Sequence, residues 1–244
     1  LTPRIGVYRA CRGKYIALRE GDDYWTDPLK LQEQVTFMEA HPECAGTFHD
    51  TEVVLCDNEG CRVIGRRTMP KRVLAMEDII TPNRCFHTSS VVFRRDCIPD
   101  PLPECLVRFA SGDIVLSLFI LASGPMVRID GCMSMYRKHA GGLTQTSLHA
   151  GPESHLERIQ LWRAAGRYFP SHAESIARVM TYHRVAYFDC VIQKNSYIQR
   201  LQMVGKILKV LPRLWLPREL RFFLACLLGV FPRGTWRYRR LLAN

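Results

Sequence analysis

The sequence has no C-x-x-C pair, no internal repeat and no low-complexity tract. It also has no apolar run long enough to cross a bilayer. Each absence removes a class of protein. The ten cysteines, at 11, 44, 56, 61, 85, 97, 105, 132, 190 and 226, lack the paired spacing of a zinc site. They are too thinly spread for the disulfide framework of a small secreted domain. They read as reduced core thiols of a cytosolic protein, with Cys56 and Cys61 flanking a hairpin turn. The apolar run 222–231 is about half the length a membrane span requires. No basic segment leads into an apolar one at the start, so no secretory leader is read. The first residue is Leu1, which fits a chain that starts partway through a gene product.

Acid is scarce in the last third. Residues 1–150 carry 18 Lys+Arg against 18 Asp+Glu, whereas 151–244 carry 16 against 5, so the whole excess of +11 lies C-terminally. Such asymmetry speaks of partners rather than of fold. What is present is ordinary globular material: 244 residues, 47% hydrophobic and 23% charged. That is enough for one large domain with a core of useful size.

The order of elements is mixed α/β to about 150, then all helical. Residues 15–18 read as a buried strand running into the acidic turn Glu20-Gly21-Asp22-Asp23. Asp27 and Pro28 open a helix whose apolar positions are Leu29, Leu31, Val35, Phe37 and Met38, and His41-Pro42 ends it. Residues 45–55 and 61–64 flank the turn chemistry Asp57-Asn58-Glu59-Gly60. A short helix is expected at 76–80 and a strand at 91–93. A helix follows at 111–122, stopped by Gly124-Pro125, then a strand at 127–136. Helices at 153–168, 171–194, 197–211 and 217–230 follow.

Four blocks carry a resemblance. Gly13-Lys14-Tyr15-Ile16-Ala17-Leu18 leading to Glu20-Gly21-Asp22-Asp23-Tyr24-Trp25 resembles the DxD segment of family 2 glycosyltransferases of the GT-A fold. Thr26–Gln32 continues that likeness. Phe86-His87-Thr88-Ser89-Ser90-Val91-Val92-Phe93-Arg94-Arg95 resembles a second family segment. Ala110-Ser111-Gly112-Asp113 resembles the catalytic-base segment, and Met135-Tyr136-Arg137-Lys138-His139 before Gly141-Gly142 resembles the segment after the last core strand. The blocks span roughly residues 9–146. The resemblance implies a GT-A-like mixed-sheet core over 1–150, truncated at the N-terminus, and a basic helical region over 151–244. Only 19 residues precede Glu20, so the family's first βαβ unit, which holds the nucleotide base, is missing from the pattern.

Transfer from a nucleotide diphosphate needs the leaving group neutralised, the acceptor hydroxyl deprotonated and the substrates aligned. Adjacent carboxylates at a strand end suit a hard divalent ion such as Mn2+ or Mg2+. By resemblance, Asp22 or Asp23 holds the metal, and Glu20, Asp22, Arg137 and His139 face the donor diphosphate. Asp113 takes the acceptor proton in an inverting attack, and Trp25, Ser89 and Ser90 meet sugar or acceptor. Each has a plainer reading. The acidic run alone is a solvated helix-capping turn, Asp113 alone a helix N-cap, Trp25 a packing residue, and His139 an exposed loop histidine.

The tail at 213–240 flanks its apolar run with Arg, Trp and Tyr. That pattern suits an interfacial helix on anionic lipid, or a helix packed on the domain. No helix-turn-helix, finger or RNP pattern supports nucleic acid. The expected function is thus transfer from a UDP- or dTDP-sugar to a glycan, lipid-linked or protein acceptor. The place would be the cytoplasm or the inner face of the cytoplasmic membrane. The rival expectation is a non-catalytic remnant or interaction module that has lost donor binding.

Overall fold

A computed structural model describes residues 8, 10–58, 60–82, 86–107, 109, 111–142 and 151–194. The expected helices at 197–211 and 217–230, and the tail at 213–240, lie outside these residues.

The chain forms a mixed α/β unit. Its strands are β1 (Tyr15–Ala17), β2 (Tyr24–Trp25), β3 (Gly46–Asp57), β4 (Gly60–Arg67), β5 (Val73–Leu74), β6 (Val92–Arg94) and β7 (Met126–Lys138). Its helices are α1 (Lys30–Ala40), α2 (Met76–Ile79), α3 (Glu104–Val107), α4 (Gly112–Ser123), α5 (Pro152–Tyr168) and α6 (Ala173–Lys194). The seven strands make one sheet in the order β1-β6-β3-β7-β2, with β4 added to β3 and β5 to β7. β3 and β7 run parallel, and every other pairing is antiparallel. β1, β3 and β7 run in one direction and β6 against them; β1 ends and β6 starts level with the first residues of β3 and β7, which run on past them.

The two faces of β3 differ because side chains alternate along a strand. Phe48 joins Phe93, Leu74, the α4 residues Ile114, Leu118 and Phe119, and Trp162 of α5 in the main core. Ile176, Val179 and Met180 of α6 belong to the same core, so the helical pair and the sheet share one apolar interior. On the opposite face α1 covers a smaller apolar group of Met38, Cys44 and Val92. Gly124 lets α4 turn into β7, since a Cβ there would stand 2.6 Å from the Glu43 carbonyl.

Two expectations are corrected. The helix at 28–40 forms at Lys30–Ala40, with Asp27 Oδ1 accepting from Leu29 N–H at 2.7 Å. It buries Lys30, Gln34 and Met38 rather than its leucines, and Leu29 is 58% exposed. The reason is polar pairing: Lys30 Nζ donates to Gln34 Oε1 at 2.7 Å, and Gln34 Nε2 donates to Thr47 Oγ1 at 3.1 Å and to the Ser90 carbonyl at 2.9 Å. The second concerns the thiols. Cys56 and Cys61 form a disulfide, because the hairpin register sets them directly opposite with Cα atoms 4.1 Å apart. Cys44 and Cys97 are buried free thiols as expected. Among the described residues no helix is long and apolar enough to cross a membrane.

Candidate functional site

The acidic turn connects β1 to β2, strands at opposite ends of the sheet order. It therefore carries the chain from the end of β1 across to the far part of β7. β2 pairs Tyr24 with Met135 and Trp25 with Ser134, which draws the turn against the end of β7. Two sequence blocks more than 100 residues apart meet there.

Asp23 is the buried member. Its side chain is fully enclosed, and Oδ1 accepts the backbone N–H of Arg137 at 3.0 Å. Oδ2 accepts no hydrogen bond, and His87 Nδ1 stands 3.5 Å from it. Burial raises the Asp23 carboxyl to about 6, and Glu20 and Asp22 add to the rise against the Arg137 amide and guanidinium. Asp22 is more open. Its carboxylate lies 3.2 Å from His139 Nε2, and its carbonyl accepts from the Arg137 guanidinium. Glu20 is exposed and closes the turn, its carbonyl accepting Asp23 N–H at 3.2 Å.

His87 lies in the segment 86–95, where the sequence pattern gives it no site role of its own. It precedes the 3-10 turn Thr88–Ser90 that leads into β6. Its ring stacks on Tyr136 with centroids 4.2 Å apart. Nδ1 lies 3.0 Å from Ser89 Oγ, which donates to Ser134 Oγ at 3.2 Å, and Ser134 Oγ meets Thr51 Oγ1 at 2.9 Å. The one signal in the sequence was its place just ahead of Thr88-Ser89-Ser90.

Glu20, Asp23 and His87 each offer a ligand atom, all within 4.8 Å of one another. Two carboxylates and an imidazole fit a divalent ion, and the buried Asp23 Oδ2 without a hydrogen bond is the kind of atom such an ion satisfies.

The other expected residues fall in two groups. Ser89 and Ser90 are fully buried, and their hydroxyls bond to His87 and to interior neighbours. Trp25 donates its indole N–H to the Ser89 carbonyl at 2.9 Å and carries the Lys30 ammonium 4.5 Å from its ring. Both therefore brace the segment that carries His87. Burial lowers Lys30 to about 8. Asp113 stands on another element, in the first turn of α4, where Oδ1 accepts from Ile114 N–H at 2.9 Å. The neighbouring Ser111 is held by Glu157 of α5 through its N–H at 3.2 Å and its hydroxyl at 3.0 Å.

No family model matches the chain. Uncharacterized proteins of Mycobacterium tuberculosis and Mycobacterium bovis are 31% identical to it over 182 residues, covering 73% of this chain and 48% of each relative. The chain thus spans about half the length of the curated relatives it matches. Among solved structures, residues 1–349 of S. aureus TarS in complex with UDP-GlcNAc align with a TM-score of 0.45 and 14% identity, covering 78% of this chain and 61% of that one.

Proposed function

We propose that the chain carries the metal- and diphosphate-binding part of a nucleotide-sugar-dependent, inverting glycosyltransferase with a GT-A-like core. The observation that carries this reading is the meeting of Glu20, Asp22 and Asp23 with Arg137 and His139 at the strand ends. These residues come from two of the four blocks that resemble family 2 glycosyltransferases, and the fold sets them side by side.

The roles follow from exposure and charge. Asp23, buried and held by the Arg137 amide, fixes the turn and turns its other oxygen toward Glu20 and His87. Asp22 and Glu20 are exposed enough to meet ligand. A divalent ion held by these carboxylates, Mn2+ or Mg2+, would neutralise the departing diphosphate. Arg137 and His139 stand beside Asp22 and add positive charge where the diphosphate collects it. Asp113, at the start of α4, takes the acceptor hydroxyl's proton. The donor is a UDP- or dTDP-sugar and the acceptor a glycan, lipid-linked or protein hydroxyl. The basic segment 213–240 holds the protein to an anionic membrane face on the cytoplasmic side.

The test is donor turnover. In the full-length protein, Asp22→Asn combined with Asp23→Asn abolishes Mn2+-dependent hydrolysis of the nucleotide sugar. Undiminished hydrolysis in that variant removes the assignment.

A further inference from the structure

We propose that His87 supplies a nitrogen ligand to the divalent ion of the acidic turn, so that the ion is held by Glu20, Asp23 and His87 and Mn2+ is preferred to Mg2+. The proposal rests on the metal reading above and sharpens which ion that site takes.

Three observations carry it. First, Asp23 Oδ2 is enclosed and accepts no hydrogen bond. A buried carboxylate oxygen left in that state is costly, and a cation is the partner that its neighbours are arranged to admit. Second, the spacing is that of a shared ion. Ligands each about 2.1 Å from one metal stand about 3.0–3.4 Å apart. His87 Nδ1 is 3.5 Å from Asp23 Oδ2, and a Glu20 oxygen completes the group within 4.8 Å. Third, the ring is fixed where it stands. Tyr136 stacks on its face, and the Ser89 N–H at 3.3 Å and Ser89 Oγ at 3.0 Å meet Nδ1, the nitrogen that faces Asp23. An ion would take the Nδ1 lone pair in place of the Ser89 N–H.

His139 is the rival nitrogen. It lies against Asp22 at 3.2 Å, and both side chains are more than a third exposed. That pair is satisfied as it stands, whereas Asp23 Oδ2 is not. An imidazole ligand shifts preference away from Mg2+, which favours all-oxygen shells, toward Mn2+ and later metals.

The experiment is pulsed EPR of bound Mn2+, with nitrogen coupling as the readout, on the wild-type chain, His87→Phe and His139→Phe. Phenylalanine keeps the stack on Tyr136 and removes the ligand. One imidazole coupling is expected in wild type and in His139→Phe, and none in His87→Phe. Mn2+ bound without nitrogen coupling, or a coupling lost in His139→Phe, overturns the role of His87 and leaves the carboxylate site standing. Should His87→Phe fail to fold, the His139→Phe spectrum still decides. A wild-type chain that binds no Mn2+ overturns the metal reading itself.

Discussion

Acidification from pH 7 to pH 5 should destabilise the fold through two buried histidines. Burial lowers His49 to about 4 and His183 to about 3. Both are almost fully enclosed, at 1% and 2% exposure, so solvent does little to soften the effect. The ordinary histidine value in the unfolded chain is about 6.5. A lowered folded pKa gives stability that is complete above 6.5 and is lost as pH falls toward the folded value. At pH 5 each histidine has lost about 2 kcal/mol, since each pH unit between the two values is worth about 1.4 kcal/mol. Asp23 works the other way. Its raised carboxyl takes up a proton in the folded state first, which returns about 1 kcal/mol over the same window. Lys30, lowered to about 8, stays charged throughout and adds no slope. His155, whose Nδ1 lies 3.1 Å from that of His183, is also lowered by burial and adds to the loss. The net expectation is a fall of about 3 kcal/mol, a large share of a typical domain's 5–15. Urea unfolding followed by tryptophan fluorescence at pH 7, 6 and 5 measures it. His183→Gln should reduce the fall by about 2 kcal/mol. A wild-type loss below about 1 kcal/mol, or an unchanged fall in His183→Gln, refutes the reasoning.

Three further outcomes are expected. Gln34→Ala leaves the buried Lys30 ammonium and the Ser90 carbonyl without their partner and costs about 2–4 kcal/mol in urea melts; a cost below about 1 kcal/mol would mean that the network is slack. Asp113→Asn lowers donor-to-acceptor turnover by about 10²–10⁴ while donor binding holds, and equal turnover would return Asp113 to the role of a helix cap. Removing 213–244 releases the protein from anionic vesicles in sedimentation assays, and binding that persists without the segment disproves the membrane-facing tail.

The sequence made some features plain and hid others, for physical reasons. The β3–β4 hairpin was legible because Asp57-Asn58-Glu59-Gly60 is local turn chemistry, and the structure turns there. The disulfide was not, because cysteines five apart join only when register sets them opposite. Helix α1 was legible in extent and misread in face. Periodicity favours leucines, and it could not foresee that Gln34 would bond Thr47 and Ser90 across the sheet while Lys30 bonds Gln34. The two-residue β2 has no local signature, and only its pairing with β7 makes it a strand. For the site, the carboxylates of 20–23 were visible as chemistry. His87 was not, because what sets it beside Asp23 is the turn into β6 and the stack on Tyr136. Arg137 was expected to face the diphosphate; its backbone amide also holds Asp23, which no side-chain pattern announces.

The most direct test is calorimetric titration of UDP and dTDP into the protein with Mn2+ and again with excess chelator. The variant to compare is Glu20→Gln, which changes the exposed carboxylate of the ligand group and leaves the buried Asp23 in place. The account predicts that at least one of the two binds with Mn2+, that the heat disappears with chelator, and that Glu20→Gln weakens binding by about tenfold or more. Binding of equal strength with and without metal, or a Glu20→Gln titration that matches wild type, would contradict the claim that the acidic turn is a metal and diphosphate site.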